Sequence, residues 1–265
     1  MNSPAEIARM YLNVGAAKTR LTVLKMLMLS VFAGMFIAMG AFASSVASCG
    51  VQPPAVSRLL GAVVFPIGLM MVIVAGAELF TGNCLIIMPV LSRRASVLGM
   101  LYNWVIVYMG NFIGSMLVAC AVVYAGSLKL YADDALLKSV ITMATTKVTM
   151  PFLSAFIRGI LCNAMVCTAV WVSFASKDIV GKVCTLYLPI LLFVLCGFEH
   201  CVANMYFVPA GIIAAAHYGM ESQGLGWLSF LTGNLLPVTL GNIVGGTVIV
   251  GCGYWLAYLR GSTNH

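Results

Sequence analysis

The sequence predicts an all-α integral membrane protein of six transmembrane helices, arranged as two inverted halves of three. Three observations carry that reading. The 265 residues are 62% hydrophobic and only 8% charged, with a mean hydropathy of +1.05, whereas a soluble domain carries about a quarter charged residues. Apolar stretches able to cross about 30 Å of hydrocarbon recur along nearly the whole chain. Two signatures also occur twice, in the same order.

The spans fall at 26–48, 60–90, 97–125, 152–175, 183–216 and 226–259. The second and fifth are too long for one straight helix, so each is predicted to be broken. Arg9, Lys18, Arg20 and Lys25 precede the first span, which lacks a small-residue cleavage pattern followed by a soluble domain. It reads as a retained span and not as a removable signal.

The formal charge of +7 describes topology and needs no nucleic acid. Arg9, Lys18, Arg20, Lys25, Arg93, Arg94, Lys177, Lys182 and Arg260 fall on one side, with Arg58, Lys129, Lys138 and Lys147 on the other. The positive-inside rule then puts both termini in the cytoplasm of a multi-pass protein of the plasma (inner) membrane. Eight of the nine cysteines lie within or beside apolar spans and no C-x-x-C occurs. They read as small buried hydrophobes, with no metal site and no cofactor implied.

The repeat organises the rest. The second span contains GAELFTGN (Gly76 to Asn83) and the fifth GFEHCVAN (Gly197 to Asn204), both G-x-E-x-x-x-x-N. The third contains NWVIVYMGNFIG (Asn103 to Gly114) and the sixth NLLPVTLGNIVG (Asn234 to Gly245), both N-x-x-x-x-x-x-G-N-x-x-G. A lysine precedes each half, Lys18 and Lys147. One domain over 1–265 thus comprises repeats at about 18–125 and 147–259. Three spans per half force opposite orientations across the bilayer, which brings the two breaks to the midplane. Freed backbone groups are tolerated there only if they line a cavity or are buried in protein.

His200 stands where the first half has Leu79, so symmetry does not require it. A histidine satisfied by a helix contact is the bland reading. A pathway residue that hydrogen-bonds or protonates a small anion is the functional one. Glu78 and Glu199 read as structural, with Asn83 and Asn204, their carboxylates accepting from amides freed by the breaks; a proton relay is the alternative. Thr81 offers a hydroxyl that either back-bonds to its helix or meets a solute. Lys18 and Lys147 would concentrate anions at the two mouths, although Lys18 is equally a positive-inside anchor. Arg158 reads as snorkelling or paired with a carbonyl or acid. Phe65, Leu69, Leu79, Phe80 and Phe193 flank these groups as candidate dewetted constrictions.

Together these stretches resemble the formate/nitrite transporter family, with its formate, nitrite and hydrosulfide channels. The likeness is carried by GAAKTRLTVLK, AGAELFTGN, NAMVCTAVW, GFEHCVANMYF and NLLPVTLGNIVGG and covers nearly the whole chain. It implies an aquaporin-like six-helix protomer in a homopentamer, each protomer with its own pore. It further implies that His200 and Thr81 face each other between two hydrophobic slits. Leu69, Leu79 and Phe80 would form the cytoplasmic slit, Phe65 and Phe193 the outer one, and Lys18 and Lys147 would stand in the vestibules. The T-G-N after Phe80 is closer to nitrite and hydrosulfide members than to the formate channel.

The function expected is a channel or facilitator for small monovalent anions of weak acids such as formate, nitrite, hydrosulfide or lactate. It has no catalytic residues. Two rivals remain. A di-haem membrane enzyme would need paired histidines, which His200, His217 and His265 cannot supply. A neutral-solute channel of the aquaporin type would carry asparagine–proline–alanine motifs, which are missing.

Overall fold

The computed structural model describes residues 1–261; His265 lies outside them. The first helix, α1 (Pro4–Lys18), begins with a capping box in which Ser3 and Glu6 exchange hydrogen bonds. Its middle packs against the first break, with the Tyr11 hydroxyl donating to the Gly82 carbonyl at 3.4 Å. The Asn2 amide, just before α1, reaches Ala175 O at 2.8 Å.

Next come α2 (Val23–Ser48) and α3 (Pro54–Val74), the latter bent around Phe65–Pro66 because proline removes a donor. The short α4 (Phe80–Leu91) follows a break, and α5 (Val97–Tyr124) closes the first half. After two single turns the order repeats. Helix α6 (Ala135–Val148) ends at Lys147's turn as α1 ends at Lys18. Then follow α7 (Phe152–Ser173), α8 (Ile179–Leu195), a second break, α9 (Cys201–Tyr218) and α10 (Trp227–Tyr258).

Six of these helices are long and apolar enough to cross a membrane, as expected: α2, α3, α5, α7, α9 and α10. The predicted second and fifth spans are indeed each two helices. The first carries its long piece before the break, whereas α8 and α9 are nearly equal. Helices α1 and α6 have no counterpart among the predicted spans. Both are too polar to give a hydropathy signal, yet each keeps an apolar face buried. Helix α10 widens into two π-helical stretches, Phe230–Leu235 and Gly245–Cys252.

The G-N-x-x-G signature has a packing cause. A Cβ at Gly114 would lie 2.0 Å from Val31 O, and one at Gly245 would lie 2.2 Å from Ile160 O. Glycine therefore lets α5 touch the backbone of α2, and α10 that of α7. Small residues do this where lipid supplies no hydrophobic drive between helices. Large apolar residues such as Leu98, Leu117 and Val248 stay exposed on the outer faces of these helices, as a chain dissolved in lipid permits.

Candidate functional site

Both breaks are built alike. Gly76 (φ +75°) and Gly197 (φ +70°) turn the chain through the left-handed region that glycine enters without penalty. Three residues on, Leu79 (φ −110°, ψ 124°) and His200 (φ −109°, ψ 116°) are extended and lead into α4 and α9. Asn111 braces the first break: its Oδ1 accepts from Phe80 N at 2.9 Å and its Nδ2 donates to Glu78 O at 2.9 Å. Asn242 braces the second through Cys201 N and Glu199 O, both at 2.9 Å. Two further amides, Glu78 N and Glu199 N, reach Leu29 O at 3.2 Å and Arg158 O at 3.3 Å.

The expectation that the glutamate side chains would take these amides is therefore corrected. An amide side chain carries a donor and an acceptor and mends both sides of a gap, which a carboxylate cannot do. The carboxylates face the lysines instead. Lys18 Nζ donates to Glu78 Oε1 at 2.7 Å and to Asn83 Oδ1 at 3.0 Å. Lys147 Nζ donates to both oxygens of Glu199 at 2.9 Å. Asn83 Nδ2 and Asn204 Nδ2 each donate to the neighbouring glutamate at 2.7 Å. The same amides donate to Asn103 and Asn234, which in turn donate to the carbonyls of Lys18 and Lys147.

Burying a charge is tolerable only when it is paired and hydrogen-bonded, and the glutamate and first two asparagines of each half, Glu78, Asn83 and Asn103 and then Glu199, Asn204 and Asn234, are spent on this. The outcome also changes the reading of the lysines. Each ammonium is neutralised by its glutamate, so neither supplies the net charge that long-range steering requires. Each ammonium makes two of the three hydrogen bonds open to it.

His200 and Thr81 meet across the two breaks, with Nε2 and Oγ1 2.9 Å apart and both side chains buried. The orientation of the proton follows from the other ring nitrogen. Ala203 N donates to His200 Nδ1 at 3.1 Å, so Nδ1 must be bare and the neutral ring carries its proton on Nε2. Nε2–H then donates to Thr81 Oγ1, and the threonine's own proton is free to point elsewhere. Thr81 thus does not back-bond to its helix.

Beside this contact opens a vestibule of about 900 Å³, lined by Lys147, Glu199, Asn204, His200, Phe65 and Phe193 among others. Phe65 and Phe193 stand edge-to-face at 5.6 Å, and Phe193 lies 6.0 Å from the His200 ring. Leu69, Leu79 and Phe80 are buried. Phe80 packs edge-on against Tyr108 at 4.9 Å and Trp104 at 6.0 Å. Among the described residues, no group of three or more metal-ligating side chains exists.

The sequence profile of the formate/nitrite transporter family matches residues 5–256. The chain belongs to that family. A probable formate transporter of Methanothermobacter thermautotrophicus is 37% identical, covering 97% of both chains. The formate channel FocA of Escherichia coli K12 is 34% identical over 99% of this chain and 96% of its own. Among solved structures, a pentameric formate channel with formate bound superposes with a TM-score of 0.81 at 35% identity, covering 89% of this chain and 98% of that one. An ion channel of the family reaches 0.85 at 29% identity, covering 95% and 98%. These relatives are transporters and channels, not enzymes.

For this family member, sequence reading located Lys18, Glu78, Asn83, Thr81, Lys147, Glu199, Asn204 and His200 but missed what Asn103, Asn111, Asn234 and Asn242 do. Their signal was present: asparagine is costly in a span unless it hydrogen-bonds, and each recurs at one spacing in both halves. Arg58, which also lines the vestibule, gave no signal beyond its charge.

Proposed function

We propose that this formate/nitrite transporter passes small monovalent anions of weak acids, with formate and nitrite foremost and hydrosulfide included. It does so through a pore within each protomer of a homopentamer in the plasma (inner) membrane, both termini cytoplasmic. The protomer is read as an inverted 3+3 repeat; the matching hydrogen bonds of Asn111 and Asn242, and of Lys18 and Lys147, support that reading.

The observation that carries the proposal is the Thr81–His200 contact at the meeting of the two breaks, 2.9 Å long and beside the vestibule. A solute entering from the Lys147 side meets the spare N–H of that ammonium, passes Phe65 and Phe193, and reaches Thr81. It leaves past Leu69, Leu79 and Phe80 toward Lys18. Stripping water from an anion costs several kcal/mol or more, and fixed donors along the path offset part of that. The Thr81 hydroxyl is such a donor, aimed by His200.

His200 acts as a hydrogen-bonding group and not as a proton lender. Giving up the Nε2 proton would leave an imidazolate. Protonating Nδ1 first would set a second N–H against that of Ala203. Uptake of formate, nitrite, hydrosulfide and glycerol into proteoliposomes tests the reading. Entry of the anions and exclusion of glycerol is the expected result, and passage of glycerol without the anions would overturn it.

A further inference from the structure

The vestibule beside Lys147 contains three cations, Arg58, Lys147 and Arg158, and one carboxylate, Glu199. Lys147 consumes that carboxylate, and both arginines remain. Ion pairs among the described residues are Lys18–Glu78, Lys129–Asp134 and Lys147–Glu199, so neither guanidinium has an acidic partner there.

Both arginines converge on one residue. Arg158 Nη1 donates to Gly197 O at 3.4 Å. Arg58 Nη1 and Nη2 stand 3.7 and 3.8 Å from where a Cβ on Gly197 would sit. Two like charges thus approach the same residue, Gly197, on the wall of the vestibule. Nothing in the fold demands this. The Arg158 carbonyl accepts from Glu199 N as the Leu29 carbonyl accepts from Glu78 N in the first half, so a leucine suffices at the matching place. Repulsion between the two groups is relieved by an anion lying between them. A guanidinium is a planar fork that binds two oxygens side by side.

We propose that Arg58 and Arg158, flanking Gly197, form a capture site for planar two-oxygen monoanions, carboxylate or nitrite, in the vestibule above the Thr81–His200 contact. The inference rests on the proposed anion pathway and adds selectivity to it. Hydrosulfide has no oxygen pair and gains little from the fork, so the site favours formate and nitrite at low external concentration. It also moves the task of attracting anions from Lys147 to the arginines.

Cys49 lines the same vestibule and is half-buried, which gives a readout independent of transport. In protein with Cys120, Cys184, Cys196 and Cys252 changed to Ser, the rate at which Cys49 reacts with an anionic methanethiosulfonate is followed. Sodium formate and sodium chloride are compared at equal ionic strength. Formate is expected to slow the reaction severalfold more than chloride does. Arg58→Gln with Arg158→Gln should abolish that difference. Arg58→Lys with Arg158→Lys keeps the charge and should keep the anionic reagent fast, yet lose the preference for formate. Equal rates in formate and chloride for the parent, or an undiminished difference in the Gln pair, would overturn the site. Formate flux by the parent is measured alongside. Its absence removes the proposed pathway, whereas the Cys49 rates alone decide the arginine site.

Discussion

Lys147 shows how a residue's partner decides its role. Its side chain is 14% exposed and its ammonium is shared by the two oxygens of Glu199, itself 6% exposed. Removing one member of such a pair leaves a buried charge alone and costs about 3–5 kcal/mol. Lys147→Gln should therefore reduce the thermal stability of the purified protein sharply, and adding Glu199→Gln should restore most of it. Equal stability of the single and double variants would mean that the carboxylate finds water or another cation. The lysine was visible in the sequence because it recurs before each half, and so were both glutamates. Their pairing was not, since residues 52 positions apart are brought together only by the fold.

At the scale of elements, the two breaks are held by asparagines from helices α5 and α10. Asn242→Ala would strip partners from Cys201 N and Glu199 O, at about 1–3 kcal/mol for each group left unpaired. Asn111→Ala should cost a similar amount at the other break. Melting temperatures in detergent measure both, and an Ala variant as stable as the parent would show that other donors mend the gap. The breaks themselves were legible because glycine, a carboxylate and asparagine interrupt two over-long apolar runs. Helices α1 and α6 were not, because their apolar faces are too narrow to stand out by hydropathy. The same limit hid Arg58, whose charge looked like an ordinary loop residue until the vestibule placed it beside Arg158 and Gly197.

For the whole molecule, six membrane-length helices and the distribution of lysine and arginine predict that both ends of the chain face the same side, the cytoplasm. Cysteines introduced near the N-terminus and after α10, in protein otherwise stripped of exposed thiols, should be labelled by an impermeant reagent only after cells are opened. Labelling of both ends in intact cells would contradict the cytoplasmic placement, and labelling of one end alone would contradict the inverted halves. The six spans and the repeat were legible because hydrocarbon imposes one length and one polarity on every crossing. Of the residues at the meeting of the breaks, His200 stood out because the first half has Leu79 in its place. The central claim is that anions cross the protomer beside Thr81, using a hydroxyl that His200 holds as an acceptor. Formate uptake into proteoliposomes containing Thr81→Val protein tests it most directly. Loss of the hydroxyl removes the donor and leaves the His200 Nε2–H unpaired, a cost of about 1–3 kcal/mol. The expected result is uptake lowered about tenfold to a hundredfold in a protein that still folds and assembles; uptake equal to that of the parent would contradict the account.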